Sequence, residues 1–131
     1  MALSISAAAA QSMGAALATA IGAGGSIQIR SGAKPATPET AASGTLLVTI
    51  PISGNFTSTG GVLTAADPAA ANPAAAGTAG HFRLATSGGT AILDGTVTAT
   101  GGGGDMQLGS TTITMGVPVD LGVPTITVQL S

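Results

Sequence analysis

His81 is the only histidine of the chain, and Asp94 lies beyond it on the far side of a Ser87-Gly88-Gly89 turn. A histidine oriented by a carboxylate is one half of a general base. A hydrolytic triad also needs a nucleophile in an activating context, and no Gly-x-Ser-x-Gly elbow occurs. Metal binding by His81 with Asp94 or Asp105 is no better supported, because first-row metals take three or four closely spaced ligands. The run Gly101-Gly102-Gly103-Gly104-Asp105 lacks the Gly-Lys-Ser/Thr of a phosphate loop and the clustered oxygens of a calcium site, so it reads as a flexible connector. Arg83 and Asp94 read as a cross-strand ion pair, worth a few tenths of a kcal/mol if exposed. No catalytic residue, metal or cofactor is expected, and the protein reads as a non-enzyme.

What positions these residues is a hairpin. From Gly80 to Val97, two runs that alternate apolar and polar residues flank the Ser-Gly-Gly turn, the strongest short-range signal for paired antiparallel strands. Its bulkiest apolar residues are Phe82, Leu84, Ile92 and Val97. Because 92 and 97 differ by an odd number, either a bulge near Gly95 realigns them or one of them faces a second layer.

Composition bounds the object that holds the hairpin. A chain of 131 residues with 21 Gly, 7 Pro, 2 Phe and no Trp or Tyr has room for one core, built from Leu, Ile, Val, Met and Ala. Only 6% of its residues are charged, against about 25% in ordinary soluble domains. A surface so poor in charge suits packing against copies of itself, so a homo-oligomer is expected. The net charge of -2 and three basic residues exclude the basic stripe that nucleic acid requires. With no cysteine there is neither disulfide nor thiolate chemistry. The Ala-rich start has no preceding Lys or Arg and is interrupted by Ser, Gln and Thr, so neither a signal peptide nor a membrane span is expected.

In chain order, residues Ser4 to Ile21 read as a helix capped by Ser4 or Ser6 and ended by Gly22-Ala23-Gly24-Gly25. Met13, Leu17 and Ile21 form one stripe, and Ala10, Gly14 and Ala18 read as a small-residue stripe on the opposite face that would let another element approach closely. Strands are expected at Ser26–Ser31, at Thr45–Ile52 near the middle of the sheet, at Gly61–Ala66, in the hairpin, from Asp105, and at the C-terminus, where Ile126, Val128 and Leu130 share a side. Gly32–Gly44 reads as a turn-rich connection with one helical turn from Thr37. Asp67–Gly77 reads as an extended, low-complexity surface loop. The sum is a mainly β chain: an antiparallel β-sandwich of about seven or eight short strands with an N-terminal α-helix, divided into a helix and glycine linker over 1–24 and one sandwich domain over 25–131.

The blocks Gly25-Ser26-Ile27-Gln28-Ile29-Arg30-Ser31-Gly32, Pro38-Glu39-Thr40-Ala41-Ala42-Ser43-Gly44-Thr45-Leu46-Leu47, Gly77-Thr78-Ala79-Gly80-His81-Phe82-Arg83 and Gly104-Asp105-Met106-Gln107-Leu108 with Thr111-Thr112-Ile113 resemble small virion structural proteins of tailed bacteriophages and prophages. The chain departs from that pattern at His81, where such proteins carry a larger aromatic before the Phe. The resemblance implies a non-enzymatic component of the virion, a capsid decoration or a neck or tail part, whose partners are its own copies and other phage structural proteins. Met13, Leu17 and Ile21 of the helix and Ile126, Val128 and Leu130 of the last strand are the expected contact residues between or within subunits. The alternative is a secreted or surface-displayed, adhesin-like sandwich, for which the lack of Trp and Tyr leaves little to stack on a sugar.

Overall fold

A computed structural model describes residues 3–127, so Val128 and Leu130 lie outside the described residues. The chain is mainly β, with one helix at its start. Helix α1 runs Ala7–Ile21; strands follow as β1 Ser26–Ser31, β2 Leu46–Pro51, β3 Thr57–Thr59, β4 Val62–Thr64, β5 Gly77–Ala85, β6 Ala91–Ala99, β7 Met106–Leu108, β8 Thr112–Ile113 and β9 Thr125–Thr127. The larger sheet is ordered β2-β1-β5-β6-β7, with β8 added beside β5, and the smaller is β3-β4-β9.

The helix begins where Ser6, in extended conformation, accepts a hydrogen bond from the amide of Ala9 at 3.1 Å. It ends at Gly22, whose φ of 69° reverses the chain, a conformation glycine adopts without a Cβ penalty. Its buried residues are Ala10, Gly14 and Ile21, with Leu17 and Ala18 packed against the core and Met13 exposed. The two stripes read from the sequence are therefore neighbours, because at about 100° per residue positions 10, 14 and 18 fall beside 17 and 21. Together they make one face that lies on β3 and β4. A Cβ on Gly14 would collide with the Ser58 hydroxyl and meet a Leu63 methyl at 3.0 Å. The small stripe thus lets the helix approach its own sheet.

One apolar cluster joins both sheets and the helix: Ile21, Ile27, Ile29, Val48, Ile50, Leu63 and Leu84 are buried in it. Four expectations are corrected. The Leu46–Pro51 strand lies at the end of the larger sheet. Its unbroken apolar run reflects cover on both sides, because Leu47 and Val48 are both buried and the amides of Ala74 and Ala75 donate to the Leu47 carbonyl at 2.7 and 3.3 Å. The Pro/Ala-rich loop is accordingly packed on that edge, with Pro68 and Pro73 buried. No helical turn forms at Thr37; the amide of Thr40 closes a turn onto its carbonyl at 3.1 Å.

The fourth concerns the four glycines. Strand β7 runs parallel to β6, pairing Val97 with Met106 and Ala99 with Leu108, although parallel neighbours normally need a crossover of a dozen or more residues. Here the chain turns back within a short loop wound on Thr98. A Cβ on Gly102 or Gly104 would press on the Thr98 side chain at 2.7 or 2.8 Å. The amide of Gly104 donates to the Thr98 hydroxyl at 3.0 Å, and that of Gly101 to the Gln107 side chain at 2.9 Å. The run is a tight, hydrogen-bonded return instead of a loose connector.

Candidate functional site

The hairpin pairs β5 with β6 in the register His81–Thr96, Phe82–Gly95, Arg83–Asp94 and Leu84–Leu93, then shifts to Ala85–Ala91. The extra residue is thus Ile92, not a neighbour of Gly95. Gly95 instead makes room for an aromatic ring, since it faces Phe82 so closely that any Cβ would strike it. Phe82 and Leu84 point to the core face, and His81 and Arg83 point to the opposite face, as alternation requires.

That second face is not open to solvent. The connection between β1 and β2, residues 32–45, lies across it as a strap, and the polar side chains of the face hold the strap by its carbonyls. His81 bonds through Nδ1 to the Gly32 carbonyl at 3.1 Å, Arg83 donates from Nη2 to that of Thr40 at 2.8 Å, and Arg30 donates from Nε to that of Ser43 at 3.2 Å. Within the strap, Ser43 donates to the Ala33 carbonyl, and the amide of Thr45 donates to the Ser31 hydroxyl. Gly80 has no room for a side chain, since a Cβ there would run into the Gly32 backbone.

Asp94 belongs to Arg83, not to His81. The guanidinium donates from Nε to Oδ1 at 2.7 Å and from Nη2 to Oδ2 at 2.8 Å, a two-pronged pairing that fixes both groups. The side chains keep 10% and 2% of their exposure. The expected cross-strand ion pair forms, and it is buried. These hydrogen bonds hold the Asp94 carboxyl below the usual aspartate range against the opposing effect of burial, and they raise Arg83 in turn. With both oxygens of Asp94 committed to Arg83, the histidine lacks the carboxylate partner that a general base would use. His81 is fully buried, and its Nε2 has no hydrogen-bond partner. The one hydrogen bond the imidazole makes therefore goes to the strap, through the Gly32 carbonyl.

Asp105 sits at the far side of the hairpin. Its Oδ2 accepts from the amide of Thr96 at 2.9 Å and from its hydroxyl at 3.0 Å, which lowers its pKa. No group of three or more His, Cys, Asp or Glu residues could hold a metal among the described residues.

On the core side, a cleft of about 220 Å³ opens between the ends of the two sheets. Phe56, Phe82 and Leu93 form part of its lining, with Met106 and Gln107 contributed by β7 and Ile126 by β9. The sequence offered no sign of this cleft, because it depends on how two separately formed sheets meet. Of the helix residues expected to make contacts between or within subunits, Ile21 is 1% exposed and buried within the domain, as is most of Leu17; Met13, 45% exposed, remains available. Ile126 is half-buried against the core beside the cleft.

No protein-family model, curated protein or solved structure matches the chain.

Proposed function

We propose that the protein is a non-enzymatic structural component of a phage particle that associates with its own copies, as a capsid decoration or a neck or tail part, and that its two sheets are the layers of a small β-sandwich. The observation that carries the self-association is the placement of charge. Strands β3, β4 and β9 and helix α1 contain no charged side chain, nor does any residue in 3–29 or 40–66. Within those ranges the exposed positions are Ala, Ser, Thr and Gly with Pro51 and Asn55, and the large apolar side chains of Leu3, Met13 and Val62 are exposed among them. A free domain surrounds itself with charge for solubility, whereas a surface without it is compatible with burial against another subunit.

The assignment to the virion draws on the sequence blocks quoted above, and the polar cluster agrees with a structural role, since Arg30 and Arg83 hold strap carbonyls and Asp94 holds Arg83. The adhesin-like alternative draws little from the geometry: Phe56 is buried and Phe82 is half-buried at the cleft, which leaves little aromatic surface to stack on a sugar. Sedimentation velocity across a concentration series, with mass spectrometry of purified particles, tests the proposal. An oligomer in solution and peptides of this chain in the particle are expected. A monomer at every concentration, together with absence from particles, would refute it.

A further inference from the structure

Apart from the two-residue β8, which pairs only with β5, four strands end the two sheets, and two of these are already closed. The free side of β3 is covered by Gln11 of α1, whose amide mimics a peptide group: Nε2 donates to the Ser58 carbonyl at 2.9 Å while Oε1 accepts from the amide of Gly60 at 2.6 Å. The free side of β2 is met by the amides of Ala74 and Ala75. The other two, β7 and β9, each pair on one side only among the described residues, and both border the apolar cleft. Unpaired strand edges beside an apolar cleft are the combination that accepts an added strand, the backbone giving affinity and alternate side chains filling the pocket.

We propose that this cleft receives the extended arm that precedes α1, residues 3–6, from a second copy of the chain, with Leu3 seated between β7 and β9. The idea rests on the reading of the protein as a self-associating building block. Three properties of the arm support it. Leu3-Ser4-Ile5-Ser6 alternates apolar and polar residues as an inserted strand must. Leu3 is 61% exposed, more than any other large apolar side chain described, and no hydrogen bond to the rest of the domain ties residues 3–5 among those described.

The charges also match. The arm carries none, and the single charged residue that lines the cleft, Asp105, already has Oδ2 occupied by Thr96, so the cleft demands no cation from its occupant. The arm of the same molecule leaves its Leu3 in solvent, so the arm of a neighbour is the one the cleft accepts. Because arm and cleft are different surfaces, two copies either exchange arms reciprocally in a closed dimer or pass them head-to-tail, in a ring if the rotation between copies closes and a filament if it does not.

The absence of cysteine makes the test clean. Leu3→Cys and Thr125→Cys are prepared as separate single variants, mixed at the concentration where the wild type is oligomeric, and oxidised. The mixed disulfide, identified by its mass, is expected to exceed either homodimer by at least tenfold. In parallel, Leu3→Ser is expected to weaken self-association at least tenfold with an unchanged unfolding midpoint, since the side chain it removes lies outside the domain's own core. An oligomer that forms without the mixed disulfide, or that survives Leu3→Ser undiminished, overturns the arm exchange and leaves self-association standing. A double-cysteine chain that closes on itself at every dilution overturns it too. A protein monomeric under all conditions removes both.

Discussion

Replacing Asp94 by Ala strands the guanidinium of Arg83, a group whose side chain is only 10% exposed. The substitution deletes two charge-assisted hydrogen bonds, at 2.7 and 2.8 Å, and leaves Arg83 the Thr40 carbonyl alone. Removing one partner of a buried pair costs about 3–5 kcal/mol, because the remaining charge keeps its desolvation penalty without its compensation. Against a total stability of about 5–15 kcal/mol, that is a fifth or more of what holds the domain together. For a chain of this size it amounts to a fall of about 10–20 °C in Tm. The paired substitution Arg83→Met with Asp94→Leu strands no charge. It loses only the donor to Thr40, about 1 kcal/mol, and is expected to be far milder than either single change.

The acid limb of stability supplies the second arm of this test. The folded protein holds the Asp94 carboxyl below its ordinary value through the Arg83 hydrogen bonds. The unfolded chain therefore takes up the proton first as pH falls. The stabilisation is fully present above the ordinary aspartate pKa of about 3.9 and is lost as pH drops below it through the folded value. Urea midpoints measured from neutrality to acid should fall less steeply for Asp94→Asn than for the wild type, and the residual slope belongs to Asp105, which Thr96 shifts in the same direction. A loss below about 1 kcal/mol for Asp94→Ala, with an unchanged acid limb, would mean that water screens the pair as it does on a surface. The strap would then not be a buried layer.

Four further substitutions probe how the elements meet. Gly95→Val places a branched side chain where the Phe82 ring lies and should lower stability by about 1–3 kcal/mol, read by chemical denaturation. Phe56→Ala, at a site 4% exposed, should cost about 3–5 kcal/mol, whereas Phe82→Ala, half-buried at the cleft, should cost less; equal losses would show that the cleft is closed. Gly14→Leu should lift α1 from β3 and β4 and expose the Gln11 contacts, so hydrogen exchange at Gly60 should quicken while amides of β1 and β5 stay protected.

The hairpin was legible because its information is local: alternation around a Gly-Gly turn places Arg83 opposite Asp94 without knowledge of anything else. The helix ends were equally local, fixed by Ser6 and Gly22. What escaped the sequence was set by distant segments. Nothing in the period of residues 32–45 says that they cover His81 and Arg83, and burial is what turns a weak surface pair into a strong internal one. The parallel return of β7 was hidden for a related reason. Four glycines announce freedom, but only the Thr98 side chain at their centre shows that they are needed for closeness. The helix was misread in geometry alone, since two stripes one turn apart form a single broad face.

The distribution of charge ties the polar strap to the uncharged flank. Arg30 and Arg83 are engaged with strap carbonyls, and Asp94 is engaged with Arg83. What remains exposed includes Lys34 and Glu39 on the strap, with Asp67, Asp105 and Asp120 elsewhere, and none of it lies on α1, β3, β4 or β9. A monomer evolved only to remain soluble would distribute its few charges over its largest surfaces, where each one discourages apolar contact. Here the two arginines fasten a loop and an entire flank is left neutral. Introducing charge there, as in Met13→Glu or Val62→Lys, should leave the buried core untouched and suppress association, a change that sedimentation velocity beside the wild type would read directly.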